Sequence, residues 1–569
     1  MNKNLKKNTY IVISFILLSG IFIYALLKSG HYLLMADSSF QLSRANEIYQ
    51  NLKHGGLFTF IATHCFSQSG VGTFLFYPSV FIYPLALLRF IFNPVTSIWL
   101  WIAMFLFLTL LISFYSMLSF SKGNYRRSYL FAILYTIVPY HLYLGIWNGT
   151  FGEFIAYTFL PLVFLGLYKI LWENSDKWYI LAVGITLVCY SHILSLYISV
   201  GFCLILFIIK LMFSSINKQQ FVSLVKAAML TILLTLWQFV PFITDYLGNN
   251  IVAPNEVFQF PYGFNDLLNN SFSNIANWNG RTGIGVCLIV VLLVGWAVPV
   301  IQQNKKELII YSLGTLILLC STTFLAWQAF GSNKLVLHTL GNIQMTFRLL
   351  PYGSLFLAVT ASFALDNYID NLNLKREGLL LGIFTLLSIG GYYGSIQYEI
   401  QILYNVSKQN KLYPANSSKP KAIINCNAVT SKQSYNNIFG YQIIFGETDY
   451  YNKKATDYSK SIINNWTYVD GQKQIIKKVS GTNKITMKLK GKQGEKADLP
   501  IIAYHDTYVV NNGKKTNYMM SKRGTVQVEL HNGINNITVG YRPNVFYYAL
   551  LIIAIVGWII FSILKILVK

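Results

Sequence analysis

Asp37 follows the first hydrophobic run of the chain, in MADSSFQLSRANEIYQNLKHGG, with His31, Arg44 and Glu47 close to it in sequence. An ionisable group beside a bilayer is costly unless it is paired or used. An acid held there is therefore a candidate functional residue, and the competing reading is a solvated loop acid. Arg348, in LGNIQMTFRLLPYGS, is the second such group. A guanidinium does not discharge in the membrane, so it needs an anion or a water-lined cavity. A phosphate suits it, and so does a structural ion pair with an outer acid. Glu153 lies in IWNGTFGEFIAYTFLPL, where a short loop turns into a helix. An acid there also complements the helix dipole, which competes with a functional reading. His192, in CYSHILSL, reads either as a cavity residue or as a hydrogen-bonded packing residue.

Other chemistries find no support. No CxxC, HExxH, phosphate-binding loop or dinucleotide fingerprint occurs in a suitable context, which argues against a cytosolic nucleotide-driven enzyme. Cys189, Cys203, Cys287 and Cys320 fall in apolar runs, where a thiol is a small hydrophobe. Cys65 and Cys426 lie outside them, and whether they pair stays open without a spacing signature.

The elements that must position these residues are membrane helices. The chain is 54% hydrophobic and 12% charged, with a mean hydropathy of +0.46. A spanning helix needs roughly 20 mostly apolar residues. Such runs occur near 9–28, 97–119, 128–143, 155–171, 178–191, 193–213, 221–242, 283–301, 308–328, 349–365, 378–395 and 545–567, predicting about twelve spans. Lys3, Lys6, Lys7, Lys122, Arg126, Arg127, Lys177, Lys218, Lys305, Lys306, Lys375, Arg376, Lys565 and Lys569 all fall on one side of that arrangement. The positive-inside rule makes this side cytoplasmic, with both termini, in a multi-pass protein of the cell membrane. Residues 73–92 are apolar enough to cross but carry Pro78 and Pro84, and crossing would reverse the charge pattern. They read as a bent helix lying at the outer surface.

Three segments then lie outside: residues 29–96, 243–282 and 396–543. The last is predicted to be an extracytoplasmic β-sandwich, because KITMKLKG, IIAYHDTYVV, TVQVELHNG and NNITVGYRP alternate and VNNGKK and HNGINN read as turns. The expected division is a transmembrane core over residues 1–395, the β-rich domain over 396–543 and a last helix over 544–569. Residues 396–543 contain 21 Lys plus Arg against 9 Asp plus Glu, an excess of 12 in a chain whose net charge is +24. That field suits an anionic partner such as lipid headgroups or a phosphate-bearing glycopolymer, and equally a soluble lysine-rich surface. Nucleic acid is not expected outside a membrane. The acids on the outer side are few: Asp37, Glu47, Glu153, Asp245, Glu256 and Asp266.

The early outer acid, GVGTFLFYP with Tyr77, the GEFIAYTFLPL turn, SHILS and IQMTFRLLP occur in an order that resembles the bacterial membrane proteins labelled as related to 6-pyruvoyl-tetrahydropterin synthase. More distantly the chain resembles the YfhO-like proteins. Nothing in it looks like a pterin enzyme. These families look like members of the GT-C superfamily of integral-membrane glycosyltransferases, and the resemblance spans most of the chain. It implies a polytopic α-helical fold with an extracytoplasmic β-domain and inverting sugar transfer from a polyprenyl-phosphate donor at the outer face. The acceptor would be an anionic cell-wall polymer or a glycolipid. The resemblance puts Asp37 at the base position and Arg348 at the donor phosphate, with Glu153, Gln344 and His192 as cavity residues; in the mechanism expected from it Arg44 or Lys334 helps Arg348 stabilise the leaving phosphate, and Gln41 and Tyr77 complete the substrate-binding set. Relatives look to have histidine four residues after the acid, where this chain has Gln41. No cofactor is expected, since a monophosphate donor needs no metal; a divalent ion between Asp37 and Glu153 is the variant of this reading. Two other functions remain open at this point. One is a non-catalytic scaffold for envelope assembly with a transferase fold, which Gln41 favours. The other is a lipid or polysaccharide transporter, against which stands the lack of a clear inverted repeat.

Overall fold

The computed structural model describes residues 3–174, 176–249, 251, 263–276, 282–323, 338–371, 377–406, 427–429, 432–441 and 446–567. Two compact units emerge. The first comprises residues 1–35, 98–228 and 255–409, and the second comprises residues 36–97, 229–254 and 410–569.

Among the described residues, eight helices are long and apolar enough to cross a membrane: Lys6–Ser29, Pro94–Phe120, Phe151–Leu171, Ile193–Phe213, Lys218–Tyr246, Thr346–Asp370, Glu377–Ser395 and Val545–Ile563. The helices Tyr125–Thr136 and Pro139–Trp147 make a ninth if they are one span bent by 52°. Pro139 explains the bend, because its ring blocks the helical conformation of the preceding residue and it donates no hydrogen bond. The remaining apolar runs form shorter helices. Tyr179–Cys189 stops after 11 residues, residues 283–301 break into Val286–Val294 and Ala297–Ile301, and Lys305–Cys320 has 16 residues. Residues 73–92 form no span but three short pieces, Thr73–Phe76, Val80–Ile82 and Tyr83–Leu88.

In the first unit Phe151–Leu171 is the central helix, 83% of its apolar window being buried. Small residues let its backbone approach Tyr179–Cys189: a Cβ on Gly166 would stand 2.2 Å from Leu181 N, and one on Gly184 2.8 Å from Val163 N. With lipid on the outside there is no hydrophobic drive between helices, so such close packing and interhelical hydrogen bonds hold them. Tyr135 and Tyr157 stack at 4.2 Å, and each donates its hydroxyl to the other's carbonyl at 2.9 and 2.8 Å. Thr109 bonds Thr158 at 2.8 Å. At the end of the unit away from Glu153, Arg127 donates to both oxygens of Glu307 at 2.9 Å, and Arg126 is bonded to Asp366 and Asp370. Residues 396–409 fall in this unit, where the helix Gln397–Val406 packs on the first helix through a Tyr404 bond to the Ala25 carbonyl.

The second unit contains the expected sandwich. One antiparallel sheet runs Met519–Met520, Thr525–Glu529, Lys496–Ile502, Trp466–Val469, Gln472–Ile475; the other runs Lys478–Gly481, Lys484–Gly491, Gly533–Tyr541, Thr507–Asn511, Lys514–Thr516. Alternation works as the sequence predicts: Ile485, Met487 and Leu489 point into the core with Val509, Ile537 and Val539, while Lys484, Lys488 and Lys490 face solvent or the rim. Asn512 and Gly513, both at positive φ, turn the hairpin of Thr507–Asn511 and Lys514–Thr516. Arg523 is buried against Asp498, with two bonds of 2.8 and 2.9 Å.

Residues 36–97 belong to this same unit. Phe60, Cys65, Phe66 and Phe76 share one core with Tyr451, Ile502, Tyr504, Tyr541 and Tyr547. Asn483 accepts from Phe60 N and donates to the Phe58 carbonyl, both at 2.7 Å. Asp245 accepts from the Tyr541 hydroxyl and from His505 N, also at 2.7 Å, so this acid fixes the sandwich.

Glu399, on Gln397–Val406, is buried, and neither carboxylate oxygen has a hydrogen-bond partner among the described residues. Burial raises its carboxyl from 4.5 to about 8. The folded chain therefore holds a proton that the unfolded chain releases, so this group withdraws stability as pH rises from 4.5 through 8. Glu399→Gln should raise Tm by several degrees above pH 8 and not below pH 4.5; parallel melting profiles for the two proteins would refute the assignment.

Candidate functional site

The helix Ser38–Lys53 carries the first cluster, in the second unit. Asp37, Gln41 and Arg44 are spaced four and three residues apart, which puts them on one face. Asp37 occupies the N-cap position in helical conformation and makes no side-chain cap bond. Its side chain is half-buried. Arg44 is fully buried: Nη1 donates to Gln41 Oε1 at 2.8 Å, and Nη2 donates to the carbonyls of Tyr77 at 3.0 Å and Pro78 at 2.5 Å. Pro78 supplies the reason those carbonyls are available. The residue before a proline is driven out of the helical region, so Tyr77 is extended, the Thr73–Phe76 turn ends and both carbonyls point away from helix partners.

Arg44 also lies 4.3 Å from the centroid of the Tyr77 ring, 5.6 Å from Phe74 and 6.0 Å from Phe40. No carboxylate forms an ion pair with it among the described residues, and its Nε has no partner. Burial pushes the guanidinium down to about 10, which leaves it charged at neutral pH. Gln41 is thus accounted for: a neutral amide accepts from a buried cation with no need to titrate.

Sequence reasoning missed one wall of this cluster. The segment 446–452, GETDYYN, lies against the same helix face: a Cβ on Gly446 would meet Phe40 at 3.4 Å, and Tyr450 stacks on Phe76 at 5.9 Å and near Phe40 at 6.1 Å. Burial pushes the Tyr450 hydroxyl well up, and Tyr77, Asp449, Arg44 and Asp37 all act on it electrostatically. Tyr504 fixes the segment by donating to the Tyr450 carbonyl at 2.7 Å while accepting from Gly72 N at 2.9 Å. The density of acids and tyrosines in a lysine-rich region was the available signal. Glu47 is structural instead: buried, it accepts from the backbone N–H groups of Thr63, His64 and Cys65 at 2.8 to 3.0 Å. Cys65 takes a bond from Asn46 at 3.3 Å, and its suggested mate Cys426 lies outside the described residues, as do Glu256 and Lys334.

The second cluster is in the first unit. Glu153, in the first turn of Phe151–Leu171, accepts from the Tyr140 hydroxyl at 2.7 Å and stands 4.0 Å from Arg348 Nε. Arg348 Nη1 donates to the Ile343 carbonyl at 2.8 Å and to Gln344 Oε1 at 3.1 Å, while Nη2 makes no hydrogen bond among the described residues. Gln344 adopts φ 61°, which turns the chain into Thr346–Leu349 and brings its amide back to Arg348. The structure therefore joins Glu153, Gln344 and Arg348. His192 caps the helix Ile193–Phe213 in an extended conformation and bonds Ser195 Oγ at 2.9 Å, the packing alternative of the sequence reading. No group of three or more His, Cys, Asp or Glu with metal-binding geometry occurs among the described residues.

The family described as 6-pyruvoyl-tetrahydropterin synthase related domain, a membrane protein family, matches residues 74–374. The chain belongs to this family and is a multi-pass membrane protein. The match includes Glu153, His192, Gln344, Arg348 and Tyr77, and begins beyond Asp37, Gln41 and Arg44. No curated protein matches the sequence.

Arg44→Met removes a side-chain donor to Gln41 and frees two buried carbonyls, each worth about 1–3 kcal/mol when orphaned. Chemical denaturation of the variant should show a loss of at least that size; an unchanged midpoint would mean that the guanidinium is not the anchor of this loop.

Proposed function

We propose that the protein is an integral-membrane glycosyltransferase of the GT-C type, moving a sugar from a polyprenyl-phosphate donor to an extracytoplasmic acceptor such as a cell-wall glycopolymer or a lipid-linked glycan. About twelve spans with both termini cytoplasmic and the site extracytoplasmic fit this reading. The observation that carries it is Asp37 at the head of a helix whose same face holds a buried, carboxylate-free Arg44 among Phe40, Phe74, Tyr77 and Tyr450. Aromatic walls suit the apolar faces of a sugar, and an uncompensated cation suits a phosphate.

In this mechanism an acceptor hydroxyl attacks the anomeric carbon and gives its proton to the Asp37 carboxylate. The bond between that carbon and the phosphate oxygen breaks, and the lipid leaves as its phosphate with inversion at the sugar. General-base assistance of this kind contributes about 10²- to 10⁴-fold. Arg348, whose Nη2 makes no hydrogen bond among the described residues, grips the donor phosphate, and Arg44 adds a fixed positive potential. Glu153 and Gln344 orient Arg348, and Tyr77 orients Arg44. No metal is required for a monophosphate donor. The excess of 12 positive charges over residues 396–543 favours an anionic acceptor. Gln41 holds Arg44 in place, so its presence where relatives look to have histidine leaves the proposed base intact.

The test is sugar transfer by purified protein in nanodiscs with polyprenyl-phosphate hexoses and cell-wall acceptor. Asp37→Asn should lower kcat about 10²- to 10⁴-fold with donor affinity kept, whereas Arg348→Gln should weaken donor binding. Donor binding without transfer by the wild type would favour the scaffold, and full activity in Asp37→Asn would remove the base.

A further inference from the structure

A cavity of about 350 Å³ lies in the first unit between Pro94–Phe120, Phe151–Leu171, Lys305–Cys320 and Leu350–Asn371. It is not part of the site above. Glu153 and Tyr168 are on the same helix, 15 residues or about 22 Å apart, and the cavity takes the Tyr168 end. Its walls are apolar, with Phe164, Leu313 and Phe356 among them, and among the described residues Lys306 is the one charged side chain that lines it.

The Lys306 ammonium is 3.6 Å from the centroid of the Phe120 ring and 4.6 Å from that of Tyr168. It makes no hydrogen bond or ion pair among the described residues. The acids nearest to it electrostatically are Glu307 and Glu173, and both are engaged: Glu307 by Arg127 at 2.9 Å, Glu173 by Lys169 at 2.5 Å. Burial pushes Lys306 down to about 8, and Arg127 and Lys122 add positive potential to it. A desolvated cation at the mouth of an apolar cavity between membrane helices is complementary to one kind of molecule. It has an acyl chain for the cavity and a phosphate for the ammonium.

We propose that this cavity binds an anionic phospholipid of the phosphatidylglycerol class, one acyl chain inside and the headgroup phosphate on Lys306. The site is independent of sugar transfer. The excess positive charge selects an anionic headgroup over a zwitterionic one, whose own cation would meet Lys306 and Lys122.

Native mass spectrometry of the delipidated full chain, titrated with phosphatidylglycerol, phosphatidylcholine or polyprenyl phosphate, tests it. The wild type should retain one phosphatidylglycerol about fivefold more tightly than phosphatidylcholine, the preference expected of one basic residue. Lys306→Gln should abolish the preference and Lys306→Arg keep it, while Leu313→Trp, which fills the cavity, should lose both phospholipids. Equal retention of the two by the wild type, or a preference surviving in Lys306→Gln, overturns the proposal. So does polyprenyl phosphate displacing phosphatidylglycerol at lower concentration, which would assign the cavity to the donor lipid. Should Leu313→Trp not fold, the Lys306 pair decides alone.

Discussion

Burying a guanidinium with no carboxylate paired to it among the described residues is the constraint on which the second unit depends. Such a charge is expensive unless its donors are met and its field is used. Here the Nη1 and Nη2 donors are met by an amide and two carbonyls while Nε is left without a partner among the described residues, and the carbonyls are available because Pro78 ends a helix. The helix Ser38–Lys53, the broken segment after Thr73 and the aromatic residues around Arg44 therefore form one construction. The strand-rich domain completes it through Tyr450, Tyr504 and the core that residues 58–77 share with Tyr451, Ile502, Tyr504 and Tyr541. A structural charge would be cheaper with a carboxylate beside it. Its absence leaves a positive potential available to a phosphate.

The membrane unit treats its charges differently. Arg127 with Glu307 and Arg126 with Asp366 are closely paired, whereas Arg348 meets Glu153 at only 4.0 Å through Nε. Tight pairs fix helices; a loose pair with a spare donor can exchange partners. Between these ends the bundle is held by glycine contacts and tyrosine hydroxyls, the forces that remain when lipid replaces water.

Much of this was legible in the sequence. The apolar runs gave the long helices, the two-residue alternation gave the strands, and Asn512-Gly513 gave its hairpin. The run near 178–191 forms a shorter, largely buried helix, whereas those near 283–301 and 308–328 form shorter helices that keep exposed apolar side chains such as Val290, Leu293, Ile309 and Leu316. The link between Glu153 and Arg348 was open in the sequence as one of two fates for the arginine. The jobs of Glu47 and Asp245 were not legible, because their partners at Thr63–Cys65, His505 and Tyr541 are set by tertiary packing. Residues 446–452 escaped for the same reason, since their neighbours on Ser38–Lys53 are some 400 positions away in the chain.

The most direct measurement follows two labels on one donor, a radiolabelled sugar and a differently labelled phosphate on the same polyprenyl lipid, incubated with the purified chain and cell-wall acceptor. The account predicts that the sugar label leaves the lipid for the acceptor while the phosphate label stays with the lipid, because the bond that breaks joins the anomeric carbon to the phosphate oxygen. Sugar and phosphate remaining together, whether on the lipid or on the acceptor, would contradict it.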